Sequence, residues 1–114
     1  MANVATLYTD RNAVNSALSV LTLTLDADYP MPDNYEAEAG VILVNPDAKS
    51  GTATLTYGTA AKGRIVHVRN TGATYSVTVK VSGQTGITIP AGYDATLLDN
   101  GTDFTVFGVV SYQN

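Results

Sequence analysis

His67 is the one histidine in the chain, and five acids crowd into thirteen residues at Asp26, Asp28, Asp33, Glu36 and Glu38. An imidazole could serve as a general base or a metal ligand. Either role needs a partner: a nucleophile within hydrogen-bond reach, or a second soft ligand. The chain has no cysteine and no second histidine to supply one, and no Gly-x-Ser-x-Gly motif to present a serine. His67 therefore reads as a solvated or hydrogen-bonded surface residue. The acid run could hold Ca2+, which takes six to eight oxygens. However, no glycine lies between Asp26 and Glu38 to make the sharp turn of a calcium loop. Two carboxylates could also cleave a glycosidic bond, but these sit in a proline-containing stretch, and there is no tryptophan for a sugar to stack on. Asp99, Asn100 and Asp103 form a second oxygen cluster that hairpin turn chemistry accounts for. No catalytic residue, metal site or cofactor is expected.

Composition narrows the partners. The net charge is −4, with seven acids and two bases in residues 1–57 and three acids and four bases in residues 58–114. An acidic chain without a basic stripe is poorly suited to phosphate backbones, so no nucleic acid is expected. No apolar run approaches the ~20 residues of a membrane helix, and no basic-then-apolar leader opens the sequence. Neither a membrane nor a small-molecule substrate is expected. The uneven charge suits a polar subunit that meets different neighbours on two sides.

The elements that must position these residues are strands. In Tyr75-Ser76-Val77-Thr78-Val79-Lys80-Val81, the valines alternate with polar residues, which is the period of a half-buried strand. The same alternation runs through Leu21–Leu25, Thr52–Tyr57 and Ile87–Ile89. Arg64–Arg69 puts Val66 and Val68 on one face, and Ile65, His67 and Arg69 on the other. The unbroken apolar run Ala39–Val44 predicts a strand buried on both faces. Tyr93–Leu98 pairs with Asp103–Tyr112 across Asp99-Asn100-Gly101, an Asn-Gly hairpin signal. Between Asp26 and Tyr35, two prolines predict a loop without regular structure. Asp10–Leu21 could start a short helix, with Val14, Leu18 and Leu21 at helical spacing. No internal repeat is visible, which counts against a solenoid. The expected fold is all-β: an antiparallel β-sandwich or barrel of about eight strands, jelly-roll-like. Residues 1–20 form an N-terminal arm or short helix, and residues 21–114 the β-sandwich domain.

One ordered series of segments has a wider meaning. It runs Val66-His67-Val68-Arg69-Asn70-Thr71-Gly72, then Tyr75–Val81, then Gly86-Ile87-Thr88-Ile89-Pro90-Ala91-Gly92, then Leu97-Leu98-Asp99-Asn100-Gly101-Thr102-Asp103. Over residues 21–110 the chain resembles a small β-domain of tailed-bacteriophage virion proteins, found in head decoration proteins and in tail-fibre modules. It departs from that pattern where Asn100 separates Asp99 from Gly101. The resemblance implies a non-enzymatic virion structural protein. A 114-residue chain fits a capsid decoration or cement protein better than a fibre, which attaches such a module to a longer chain. The implied partners are the major capsid protein and sister subunits, in a homotrimer by analogy with decoration proteins at threefold positions. The implied location is the capsid exterior of the virion, after synthesis in the bacterial cytoplasm.

The residues expected at the interface are Leu7, Tyr8, Val14, Leu18, Tyr29, Met31, Tyr35, Phe107 and Val109. In the last strand, Phe104, Val106, Val110 and Tyr112 would share one face, with Phe107 and Val109 on the other. A strand apolar on both faces needs a second cover, from the N-terminal segment or from another subunit. Two alternatives remain open. One is a tail or fibre module. The other is a carbohydrate-binding module, for which Tyr57, Tyr75 and Tyr93 would be the exposed aromatics.

Overall fold

The computed structural model describes residues 4–8, 20–32 and 35–113. Among these residues ten strands form in chain order: β1 (Val4–Tyr8), β2 (Val20–Thr24), β3 (Tyr29–Met31), β4 (Val41–Asn45), β5 (Ala53–Tyr57), β6 (Ile65–Asn70), β7 (Val77–Val81), β8 (Ile87–Ile89), β9 (Tyr93–Asp99) and β10 (Phe104–Ser111). The only helical pieces among the described residues are 3-10 turns at Tyr35–Glu38 and Asp47–Lys49. The mostly-β expectation holds, and all eight predicted strands appear.

The strands make two sheets. One has six strands in the order β1-β2-β4-β6-β9-β10; the other has four, β3-β5-β7-β8. Neither closes on itself, so no barrel forms. Alternate residues of both sheets meet in a single core: Leu21, Leu23, Ile42, Val44, Val66, Val68 and Leu97 from the larger, and Leu55, Tyr57, Val77, Val79 and Ile89 from the smaller. Burying a Val- or Leu-sized side chain contributes about 1.5–3 kcal/mol, so this shared layer is the main force holding the sheets together.

The antiparallel, jelly-roll-like arrangement is corrected: both sheets are mixed. β2, β4 and β6 run parallel, as do β3, β5 and β7. The reason lies in the path. From β2 to β7 every connection crosses to the opposite sheet, so each strand returns beside, and parallel to, the one two places earlier. A strand in the other layer thus serves as the crossover that parallel neighbours require. The chain winds like a solenoid although its sequence does not repeat. Antiparallel pairing is confined to the two ends of this path: β1 against β2 at the start, and β8, β9 and β10 at the finish.

Three local expectations are also corrected. The stretch predicted as an irregular loop contains β3, with Pro30 inside it. Among the described residues β3 is an edge strand paired only with β5, where a missing N–H is tolerated. β4 is fully buried on one face only, at Ile42 and Val44, while Val41 and Leu43 are half-exposed. Val20, assigned to the N-terminal arm or short helix, belongs to β2 together with Leu21, where the strand was expected to begin; residues 10–19 of the expected helix lie outside the described residues.

Candidate interaction surface

The hairpin of β9 and β10 forms one side of the molecule. Among the described residues β10 is an edge strand, bonded to β9 alone. Its ends are anchored. Phe104 is buried and meets the Tyr57 ring edge-on, with centroids 5.1 Å apart and planes at 62°. At the other end, Tyr112 takes the Arg69 guanidinium over its ring at 4.1 Å and donates its hydroxyl to the Asn70 carbonyl at 3.2 Å.

Between these anchors the strand is bare. Phe107 is 65% exposed, Val110 63%, Val106 42% and Val109 38%. A bulge falls between Val106 and Gly108, leaving Phe107 outside the register. The extra residue reverses the alternation that follows. Val106 therefore opposes Leu97, and Val109 opposes Ala95, on the core side; Val110 opposes Asp94 on the outer side. The predicted division of faces was wrong beyond the bulge. Val106 and Val109 look toward the core yet remain uncovered, because the smaller sheet ends at β8.

The outer face of the larger sheet carries a shallow groove of about 440 Å³ lined by Val41, Leu43, His67, Val68, Arg69, Asp94, Thr96 and Val110. In it, Arg69 makes a two-pronged ion pair with Asp94, at 2.6 and 2.8 Å. The hydrogen bond from Arg69 holds the Asp94 carboxyl below its usual range. His67 Nδ1 lies 3.1 Å from Thr96 Oγ1. Among the described residues no carboxylate bonds to that ring to orient it, and the nearby acid is already held by Arg69. The pair thus lacks the third member of a nucleophilic constellation.

The expected interface residues are not brought together. Phe107 and Val109 lie on the exposed hairpin, but Leu7 and Tyr8 belong to β1 at the opposite edge of the sheet. The described part of the N-terminal segment therefore does not cover β10 of its own chain. Met31 is buried in the core, which removes it from a surface role; β3 turns it inward. Tyr29 is half-buried and donates its hydroxyl to Glu36 at 2.7 Å. Tyr35 opens the first 3-10 turn, and Val14 and Leu18 lie outside the described residues. The residues expected at the interface did not include Val106, Val110, Ile65 and Tyr93, all of which are exposed, although Val106 and Val110 had been placed on the strand that needed a cover and Tyr93 among the exposed aromatics. The alternation of β6 had placed Ile65 on the outer face, a signal that could have found it.

Of the acid run, Asp33 lies outside the described residues, and Glu36 and Asp28 are engaged in structure. Asp28 pairs with Lys49 at 3.3 Å and accepts the Thr54 N–H at 3.0 Å. Among the described residues no three His, Asp or Glu side chains cluster closely enough to hold a metal ion. Tyr57, one of three candidates for a sugar platform, is buried, so that alternative loses a member.

No family model matches the chain, and neither a curated protein nor a solved structure matches it.

Proposed function

We propose that this chain is a non-enzymatic virion structural protein: a capsid decoration or cement protein whose sheets form a sandwich gripped by neighbouring subunits. The observation that carries the reading is β10, an eight-residue strand with no charge and no proline, fixed at both ends and uncovered on both faces. A monomer seldom leaves such an edge unprotected, since an open apolar strand invites pairing. The resemblance of residues 21–110 to tailed-phage virion domains supplies the setting. The partners are the major capsid protein and sister subunits in a trimer, on the outside of the head.

The mechanism is mass action. A protein that binds the assembled shell and not its dissociated parts shifts the balance toward assembly. Repetition around a lattice multiplies contacts that are individually weak. The test is to quantify this chain in purified particles from a host producing it. Hundreds of copies per particle support the head assignment. A handful assigns it to the tail, and absence from particles overturns the reading.

A further inference from the structure

We propose that β10 is covered by β1 of a second copy of this chain, so that six-stranded sheets join head to tail. The inference deepens the sister-subunit part of the proposal above. It is tested on the isolated protein, so failure to find the chain in particles leaves it standing.

The occupant of β10 must satisfy two demands. Along the edge it must offer backbone N–H and C=O groups, and on both faces it must offer cover for Val106, Val109 and Val110. A strand does both; a helix or a small molecule does not. The same sheet has one other free edge, β1, whose described pairing is to β2 alone.

Direction fits. β2, β4 and β6 are parallel to one another, β1 and β9 oppose them, and β10 opposes β9. A second copy placed beside β10 in the same orientation therefore presents its β1 antiparallel, the more stable pairing. Register fits as well. A single lateral row crosses the whole sheet through Thr6, Thr22, Leu43, Arg69, Asp94 and Val110. An unstaggered neighbour continues this row with its own Thr6 next to Val110.

Charge selects this contact over a twofold one. Strand order follows chain order across the larger sheet, so its earlier described strands lie toward β1 and its later ones toward β10. Among the described residues, 20–57 hold five acids and one base, and 58–113 hold three acids and four bases. Head-to-tail contact brings unlike halves together, whereas β1 against β1 sets acids against acids. A heterologous contact of this kind closes into a ring or continues as a filament.

The chain has no cysteine, so single cysteines report the contact directly. Thr6→Cys and Val110→Cys proteins are mixed and oxidised, and each is also oxidised alone. The proposal expects the mixed disulfide to dominate. It also expects wild-type protein to sediment as species larger than a dimer as concentration rises, with about tenfold weaker association for Val110→Lys. Circular dichroism checks that the lysine variant is folded. Dominance of the Val110→Cys self-disulfide would indicate twofold β10 pairing and overturn the proposal. A wild-type protein that stays monomeric at millimolar concentration overturns it too.

Discussion

Asp103 Oδ2 accepts the backbone N–H of Gly86 at 2.7 Å, and with its other oxygen Asp103 accepts that of Val81 at 3.2 Å. Asp103 leads into β10 of the larger sheet, while Val81 and Gly86 flank the β7–β8 turn of the smaller. One carboxylate therefore ties the two layers together at the end where the chain turns back. Burial would raise the pKa of this acid, but backbone donors from Gly86, Phe104, Val81 and Thr85 outweigh burial and hold it below the ordinary value.

Asp103→Asn is expected to destabilise the fold by about 1.5–3 kcal/mol, because an amide nitrogen then faces a backbone donor and the bonds to a charged acceptor are lost. Thermal unfolding checks this, with a fall of about 4–8 °C for each kcal/mol lost. Because the two sheets share one core, the variant should still melt in a single transition.

Acid should weaken the protein in a defined window. Asp47 is lowered from its ordinary 3.8 by the N–H of Ala73, and further by those of Tyr75 and Thr74, against the opposing effect of burial. Asp94 and Asp103 are lowered as well. A carboxyl whose folded pKa is depressed adds stability at pH values above its unfolded pKa. That stability is lost as pH falls through the folded value. Urea midpoints should therefore change little from these three groups between pH 7 and 5, and fall below about pH 4. Asp47→Asn should flatten part of that slope and lower the midpoint at neutral pH.

Tyr57→Phe is expected to leave stability unchanged or raise it slightly. The Tyr57 hydroxyl is buried with no hydrogen-bond partner among the described residues, so its removal relieves an unmet desolvation cost. Tyr57→Ala should cost about 3–5 kcal/mol, by emptying the space against Phe104 and under Arg64. Chemical denaturation of both variants separates ring from hydroxyl. Burial also pushes the phenol up to about 12, against the pull of the Arg64 charge. In the wild type, alkaline absorbance titration should find this tyrosine ionising after exposed ones.

The strands were legible because a period of two is a local property. Val77, Val79 and Val81 announce a buried face whatever lies beside them, and the structure buries all three. The direction of neighbours was not legible. Leu21–Leu25 reads the same whether β4 lies parallel or antiparallel to it; that depends on where the connection travels. The rungs are also unevenly spaced in sequence, which hides the winding from a search for repeats. The burial of two polar residues, Asn70 and Asp99, was not legible for a related reason. Asn70 donates to the carbonyls of Tyr75 and Ile89 and accepts from the Gly72 N–H, and Asp99 faces Arg64 across 3.5 Å. In the sequence both look like ordinary turn residues. The exposed surface was half visible: the apolar content of the last strand could be read, but the bulge at Phe107 depends on its pairing with β9.

The two open sides of the larger sheet belong to the first and last described strands, so a pull between Val4 and Gln113 crosses five ladders in succession. Under tension such a molecule should yield from its borders inward, one seam at a time, and not break as a block. Clamping either border to a neighbour would remove the seam that tears first, making the joined array tougher than its separate members.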